Sequence, residues 1–422
     1  MVGSSGQFAG FPALTGGVKR LARWAITALL TAGLATGVIP TSASAQQAEP
    51  PAPEPRHRIE TSPALPPGPP AKNITDPGQT ARISGTIPVL HSRPDATNVL
   101  YLDFHGGHIT VDDTWGRAAS WRAWDLDGNP GSINAEEAAR IEWMWRLVAA
   151  DFEPFDVDVT TENPGMARIT EYGERVVVTN HNVGIRKGRV GGYALVGGFA
   201  NGEDDPAFVF AAPLRQHPTV VGNVISHEAG HVFGLEHDGR GRAEYYGGNR
   251  IWGPIMGAPF YRSFAQWSDG SYRGATSHQD DVAEIAYLGG LLPDDQPDGL
   301  NTAMTLTDGA DHEGQLYQPF DVDSYRFVVP TDRRVAVMAR PTVGAPFNNV
   351  DLRVRLLTPD GQVVFSKTSR SRGAVGWADV SAGEYVVQVT GAGQGRRYTS
   401  GFTAYGSLGS YVVRAYSVPY IR

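Results

Sequence analysis

The sequence contains no cysteine in its 422 residues. Disulfides and thiolate metal sites are therefore excluded, and a tight metal site must use histidine, aspartate or glutamate. It also lacks any hydrophobic run that reads as a membrane-spanning helix. Charged residues make up only 19% and hydrophobic residues 41%, which favours a soluble globular chain of two or three domains. The net charge of −8 makes nucleic acids and anionic membranes poor partners.

The first 45 residues have the pattern of a secretory signal peptide. Lys19, Arg20 and Arg23 precede the apolar run "WAITALLTAGLATGVIP", and small residues follow at 43–45. The run is short and is interrupted by glycine and proline, which favours cleavage after Ala45 over a permanent membrane anchor. We therefore expect a secreted, extracellular protein without stable membrane insertion after the signal is removed.

Residues 46–94 are predicted to be a proline-rich linker or a short pro-segment. The proline content of 46–71 is too high for a helix or a central strand, and ordered sequence is expected to begin near residue 95. Two domains are expected beyond that point, at 95–300 and 301–422, with the boundary in "LLPDDQPDGLNT".

The pattern of residues 95–300 predicts a mixed α/β domain. "NVLYLDF" (98–104) predicts a strand, and 132–151 predicts a helix that begins with a capping box of Asn134 and Glu137. Further β-rich runs are "FDVDVTT", "ERVVVTN", "GGYALVGGF" and "AFVFAAP". From residue 305 onwards short alternating runs are separated by turn residues, which predicts an all-β sandwich.

The stretch "VVGNVISHEAGHVFGL" predicts a buried helix that carries two histidines. His227 and His231 are four residues apart, so both imidazoles lie on one helix face and can reach a common ion, with Glu228 beside them. Gly234 lets the backbone leave the helix in a left-handed conformation, which brings His237 to the same ion. Three neutral imidazoles and one water form an open, catalytic type of zinc site.

The complete segment "HEAGHVFGLEHD" (227–238) resembles the metal motif of the metzincin clan of zinc peptidases. Asp238, after the third histidine, is similar to the aspartate of the reprolysin-like branch. Met256, in "WGPIMGAPFY", matches the methionine turn of the clan, a role that is compatible with ordinary core packing. The resemblance implies an α/β catalytic domain with a mixed twisted sheet, an active-site helix and a methionine turn.

The C-terminal region resembles the bacterial pre-peptidase C-terminal (PPC) domain. The segments that carry this resemblance are "FDVDSYRF", "VDLRVRLLTPDGQVV", "AGEYVVQVTG" and "YGSLGSYVV". The metzincin-like and PPC-like segments together cover roughly residues 98 to 418. They imply an exported peptidase followed by an accessory β-sandwich.

The function implied by the resemblance is hydrolysis of peptide bonds in a protein or peptide substrate. His227, His231 and His237 would hold one Zn²⁺, and Glu228 would act as the general base. Gly234, Asp238 and Met256 would support the site, with a surface carboxylate as the alternative for Asp238. Some metzincins place a tyrosine two residues after the turn methionine, but this chain has Ala258 there. For the nearby Tyr261 we expect core packing.

Several alternatives stay open at this level. The segment 191–199 is an edge strand that pairs with an extended substrate, or an interior strand with glycine bends. Calcium is a second candidate ion, since turn-forming residues with suitable side chains occur at Asp125, Asp127, Asn129, Asp321, Asp323, Asn348, Asn349 and Asp351. The rival function is a secreted matrix- or polymer-binding protein in which the β-sandwich is the main module.

Overall fold

A computed structural model describes residues 58–66, 85–110, 115, 118–184, 188–302, 304–368, 372–395 and 401–419. The predicted signal peptide lies outside the described residues. All described residues belong to one compact unit. None of their helices is both long and apolar enough to cross a lipid bilayer.

The region up to residue 302 contains both helices and strands. Its strands are β1 (Ile59–Pro63), β2 (Asn98–Asp103), β3 (Gly107–Ile109), β4 (Ala119–Trp121), β5 (Val157–Thr160), β6 (Gly173–Thr179), β7 (Val190–Leu195), β8 (Ala207–Phe210), β9 (Trp252–Pro254) and β10 (Phe264–Gln266). Its α-helices are α1 (Ala135–Asp151), α2 (Met166–Tyr172), α3 (Pro218–Val232) and α4 (Asp281–Gly289). The predicted strand at 98–104 and the predicted helix at 132–151, with its capping box, are confirmed as β2 and α1.

A mixed six-stranded sheet forms the centre of this region, in the order β1-β7-β8-β6-β2-β5. The four strands β8, β6, β2 and β5 are parallel to one another, whereas β7 is antiparallel to β8 and β1 is antiparallel to β7 at one end of the sheet. β3 and β4 form a hairpin, and β9 pairs with β10.

Both faces of the central sheet are covered. Because side chains alternate along a strand, Val176 and Val178 contribute to one core with residues of α1 and α3. Val177 contributes to a second core on the opposite face, together with Phe208 of β8 and Trp121 of the β3–β4 hairpin. The metal-motif helix α3 is thereby held against the sheet, with nearly every one of its side chains buried.

Ordered structure begins earlier than the sequence predicts. Residues 59–63, which we expected in a linker, form β1 and pair with β7. Two features of the sequence explain the difference: residues 56–62 contain no proline, and the proline at position 63 lies at the end of an edge strand. Proline is tolerated there because no ladder hydrogen bond from its nitrogen is required.

The C-terminal region consists of two further sheets. Its strands are β11 (Met304–Thr305), β12 (His312–Leu316), β13 (Val322–Val329), β14 (Arg333–Pro341), β15 (Leu352–Leu357), β16 (Val363–Thr368), β17 (Ala374–Val380), β18 (Gly383–Gly391) and β19 (Gly409–Val418). The sheets have the orders β11-β13-β18-β15-β16 and β12-β19-β14-β17. Tyr325, Val354 and Val387 of the first sheet share one core with Val337 and Val413 of the second, which is the architecture of a β-sandwich.

The sandwich packs against the α/β region. Tyr405 and Leu408 belong to the core of α1 and α3. The Asn349 amide donates a hydrogen bond to Asp151 Oδ1 at the end of α1, at 2.5 Å. The two predicted domains therefore share buried contacts, although the predicted boundary between them stays a prediction.

Candidate metal centre

Helix α3 places two of the three histidines. Pro218 stands at its first turn, where the missing N–H costs nothing, and apolar residues then direct the helix into the core. His227 and His231 lie one turn apart on the same face, with ring centroids 4.8 Å apart. Both are buried, so the core itself fixes their positions.

Gly234 ends the helix and redirects the chain. Its φ of +98° lies in a region that residues with a Cβ rarely adopt. The turn brings His237 back, so that its Nε2 lies 3.0 Å from His231 Nε2. One side-chain nitrogen from each of the three histidines lies within 4.8 Å of the others.

The hydrogen bonds of the helix-borne histidines leave one nitrogen of each ring for a metal. His227 Nδ1 lies 2.9 Å from the carbonyl oxygen of Ile255, and His231 Nδ1 lies 2.8 Å from that of Leu235. A carbonyl oxygen only accepts, so Nδ1 carries the proton in each ring and Nε2 is a free base. Among the described residues, the buried Nε2 of His227 has no hydrogen-bond partner.

Burial also keeps these rings neutral. Burial, together with the nearby His237, lowers the pKa of His227 to about 3. Burial together with the neighbouring histidines holds the pKa of His231 far below its ordinary value. A neutral donor set of imidazole nitrogens suits Zn²⁺, and the three residues fit that ion.

Glu228 lies next to the histidines and is fully buried. A Cβ at Gly192 of β7 would lie 2.6 Å from Glu228 Oε1, so the glycine is what allows the carboxylate to lie against the strand. Burial raises the pKa of Glu228 well above its ordinary value, while the hydroxyl and amide of Ser62 oppose that shift. In the described part of the chain neither carboxylate oxygen has a hydrogen bond of good geometry.

Gln279, which no sequence motif indicates, fixes the loop after Gly234. Gln279 Nε2 donates to the carbonyl oxygen of Gly234 at 3.1 Å, and its Oε1 accepts from the amide of Glu236 at 2.8 Å. Both contacts lie just before His237 in the chain. No pattern in the sequence signals this role, because Gln279 belongs to the segment that leads into α4.

Met256 and Asp238 both lie inside the protein. Met256 is fully buried, and a Cβ at Gly230 of α3 would overlap with its sulfur atom. The amide of Asp238 donates to the Met256 carbonyl oxygen at 2.9 Å, and Tyr272 donates from its hydroxyl to Asp238 Oδ1 at 3.1 Å. Burial raises the pKa of Asp238 to about 7. Asp238 is therefore an interior carboxylate, and the alternative of a surface residue is wrong.

The tyrosine near the metal centre is Tyr245. Its ring centroid lies 4.5 Å from that of His237, and burial holds its pKa far above the ordinary value, so the phenol stays protonated. Tyr261 instead contacts His217 before the start of α3 and is 57% exposed, so its predicted core packing is wrong. Tyr261 also has a φ of +63°, which belongs to a surface turn. The pair of tyrosines at 245 and 246, shortly after the metal motif, is the signal that could have pointed to this position.

The predicted substrate strand is β7, and its outer edge is paired with β1. Ser62 lies opposite Gly192 in that pairing, and the strands are antiparallel. β7 is thus the last strand of the sheet formed by residues after 95, and β1 adds one more strand beside it.

The proposed calcium ligands near residue 125 form a turn. The carboxylate of Asp125 accepts a hydrogen bond from the amide of Gly128, and Asp127 Oδ1 accepts from that of Asn129 at 2.9 Å. Oxygen atoms of Asp125, Asp127 and Glu137 approach one another within 4.8 Å. Calcium binding here stays a prediction.

The proposed calcium ligands of the sandwich separate into two groups. Asp321 and Asp323 approach Asp294, with oxygen atoms within 4.8 Å of one another. The others bind protein groups: Asn349 donates to Asp151, Asp351 accepts from Gln394, and Asn348 accepts from Arg372. A calcium site in the sandwich likewise stays a prediction.

Residues 157–238 match the family described as metallo-peptidase family M12B, reprolysin-like. No curated protein matches the sequence. The matched segment includes all three histidines and Glu228.

Solved structures align with the chain at low identity. The PPC domain of a collagenase from Bacillus anthracis aligns at 13% identity, covering 29% of this chain and 99% of that one, with a TM-score of 0.20. PliG from Aeromonas hydrophila, a periplasmic inhibitor of g-type lysozyme, aligns at 12% identity over 28% and 96% of the two chains, with a TM-score of 0.19. OgpA from Akkermansia muciniphila aligns at 12% identity over 73% and 88%, with a TM-score of 0.19.

A PPC domain is therefore among the structural neighbours, while the identity of residues 301–422 as such a domain stays a prediction. The family match is the stronger finding, because it contains the residues that converge in the structure. It supports a zinc peptidase, and residues 157–238 are similar to the reprolysin-like metallopeptidases.

Proposed function

We propose that this protein is a secreted zinc-dependent endopeptidase. The observation that carries the proposal is the convergence of three imidazole nitrogens, from His227, His231 and His237, beside the buried carboxylate of Glu228. The family match over the same segment supports it. Secretion rests on the signal-peptide pattern of the first 45 residues.

Glu228 is the proposed general base. A bound zinc ion would lower the pKa of a water and polarise a peptide carbonyl. Glu228 accepts the proton of the attacking water and delivers it to the leaving nitrogen. The low polarity around Glu228, which raises its pKa, favours its holding that proton between the two transfers.

Tyr245 is the proposed donor to the oxygen of the scissile carbonyl. Its raised pKa keeps the hydroxyl protonated, and its ring lies beside His237. A preoriented donor at this place stabilises the negative charge that develops on the oxygen during attack.

The outer edge of β7 is the proposed binding site for an extended peptide. Main-chain hydrogen bonds to a sheet edge hold a peptide of any sequence and leave its side chains to lie in adjacent pockets. β1 occupies this edge in the antiparallel direction, so the edge is capable of pairing with an added strand. The proposed partners are therefore unfolded proteins or peptides.

The first prediction concerns Glu228→Ala. The variant is expected to bind zinc like the wild-type protein, since Glu228 is not a ligand, and to digest an unfolded protein about 10²–10⁴-fold more slowly. Zinc content is measured by elemental mass spectrometry and digestion by the release of peptides. Glu171→Ala, which changes an exposed glutamate of α2, is the matched control and keeps both properties. A zinc-loaded Glu228→Ala protein that digests at the wild-type rate contradicts the proposal.

A further inference from the structure

β1 lies beside the metal centre as well as along β7. Because side chains alternate along a strand, Arg58, Glu60 and Ser62 share one side of this segment. Arg58 forms an ion pair with Glu236 on the loop that carries the third histidine. Glu60 Oε2 lies 3.7 Å from the Nδ1 atom of that histidine, His237. This side of the strand therefore lies against the loop and the third histidine of the proposed catalytic site.

One peptide bond of β1 meets the proposed catalytic groups on both of its sides. The Thr61 carbonyl oxygen accepts a hydrogen bond from the Tyr245 hydroxyl at 2.6 Å. The ring of Tyr245 lies beside that of His237, with centroids 4.5 Å apart, so this carbonyl is close to the third histidine. On the other side of the bond, Ser62 pairs with Gly192, the glycine against which the carboxylate of Glu228 lies. The carbonyl thus binds the proposed donor, and the Ser62 side of the bond lies beside the proposed general base.

Two consecutive glycines of β7 allow this close approach. A Cβ at Gly191 would lie 2.8 Å from the carbonyl oxygen of Pro63 and 3.0 Å from Ser62 Oγ. A Cβ at Gly192 would lie 2.6 Å from Glu228 Oε1. Side chains at these positions would separate β1 from β7 or displace the carboxylate.

We propose that β1 is an intramolecular substrate, and that the chain hydrolyses its own Thr61–Ser62 bond. The inference rests on the proposed function. Water supplies a hydroxyl group to the carbonyl carbon of Thr61, the C–N bond breaks, and the Ser62 nitrogen takes the proton that Glu228 received from the same water. The products are a carboxylate on Thr61 and an amine on Ser62.

Cleavage at Thr61–Ser62 would separate most of β1 from the rest of the chain. Before it, β1 occupies the edge of β7 that a second peptide would need, so the uncut chain is latent. After it, Arg58, Glu60 and Thr61 belong to a separate peptide that is held by non-covalent contacts alone. Release of this peptide leaves the outer edge of β7 free to pair with a substrate.

The position of β1 is tested without zinc and without catalysis. The chain has no cysteine, so a double variant, Ile59→Cys with Leu195→Cys, contains only the pair that the register places opposite each other. In a metal-free, full-length Glu228→Ala background the pair is expected to form a disulfide, which peptide mapping detects. Ile59→Cys with Val190→Cys is the control, because Val190 lies at the other end of β7 and is not expected to link.

Cleavage is tested on the zinc-loaded full-length protein by intact mass and N-terminal sequencing. The expected result is a new N-terminus at Ser62, formed with one first-order rate constant over a tenfold range of protein concentration. Ser62→Pro removes the amide hydrogen at the cleaved bond and is expected to slow the cut at least about a hundredfold. In the Ser62→Pro chain, the Ile59–Leu195 cysteine pair reports whether β1 stays in place.

The outcomes separate this inference from the proposed function. If the protein digests an added unfolded substrate while Thr61–Ser62 stays intact, the inference is overturned and the proposed function stands. If Thr61–Ser62 stays intact and the added substrate is also not digested, the inference is overturned, and a chain that begins at Ser62 then tests the proposed function, because β1 no longer covers the edge. A disulfide in the control pair instead of the Ile59–Leu195 pair also overturns the inference, as does a cleavage rate that rises with protein concentration.

Discussion

Each histidine of the candidate metal centre is oriented through its second ring nitrogen. His227 and His231 donate to backbone carbonyl oxygens, whereas His237 Nδ1 lies 3.1 Å from the carboxylate of Glu244. A carbonyl partner fixes the tautomer and the plane of the ring, and a carboxylate partner also raises the basicity of the ring. His237 is therefore oriented by a carboxylate, whereas the two histidines of the helix are oriented by backbone carbonyl oxygens.

The second prediction concerns two tyrosines. Tyr245→Phe removes the proposed donor to the scissile carbonyl and is expected to lower kcat by about 10²–10³-fold with little change in KM. Tyr261→Phe is the matched control, because this exposed side chain contacts His217 rather than the metal centre. Steady-state kinetics on a short peptide, with zinc-loaded protein, give both constants. A Tyr245→Phe protein with kcat close to that of Tyr261→Phe would exclude Tyr245 as the donor.

At the scale of the element, the metal motif is a helix followed by a forced turn. Helix α3 supplies a rigid, buried frame for His227 and His231. Gly234 adopts a φ of +98°, and a Cβ added at this position would have open space around it, with no atom beyond the adjacent residues within 4 Å. The position therefore requires glycine for its backbone conformation and not for space.

The third prediction follows from that conformation. Gly234→Ala is expected to cost about 1–3 kcal/mol in stability and to weaken zinc binding, because relief of the strained φ moves His237. Gly241→Ala is the matched control: its φ of +63° is also positive and its surroundings are also open, but it lies beyond the ligands. Thermal unfolding gives the stabilities, and competition with a chelator gives zinc affinities. Equal affinities for Gly234→Ala and wild type would contradict this account of the turn.

At the scale of the molecule, the sandwich supports the metal-motif helix from outside its own region. Asp151, the last residue of α1, accepts hydrogen bonds from Ser226 of α3 and from Asn349 of the sandwich, both at 2.5 Å. Ser410 of β19 also binds the carboxylate of Glu153. Asp151 therefore connects Ser226, the neighbour of His227 in the chain, to the sandwich.

The fourth prediction concerns the pH dependence of stability. Burial raises the pKa of Asp151 from 3.8 to about 7, although the bonds from Ser226 and Asn349 oppose this. Between these two pH values the folded state binds more protons than the unfolded state, so the contribution of Asp151 to the free energy of unfolding falls as pH rises. The full change is of order 4 kcal/mol at most.

Asp151→Asn removes this titration while keeping the shape of the side chain. From pH 4 to pH 7 the free energy of unfolding of the wild type is expected to fall relative to that of Asp151→Asn. Chemical denaturation at several pH values measures this difference. A difference that stays constant over this range would mean that Asp151 is ionised in the fold at all of these pH values.

Local features of the sequence determined much of the architecture and the proposed ligand set. The spacing of His227, His231 and His237 around Gly234 follows from helix geometry and from the conformational freedom of glycine, and the structure brings the three together. The capping box of α1 and the alternation in the sandwich strands are likewise local patterns. The absence of cysteine restricted the metal ligands before any fold was known.

Only the tertiary structure decided which distant residues join the site. Tyr245 and Thr61 are 184 positions apart and meet because β1 pairs with β7. Sequence periodicity indicates which face of an element is buried but not which partner covers it. Neither this pairing nor the hydrogen bonds of Gln279 to the loop after Gly234 were therefore predictable. For β1 the proline-rich surroundings also concealed a short strand, which gains its stability from the sheet edge and not from its own residues. The sequence by itself therefore determined a metal motif, while long-range strand pairing decided what lies over it.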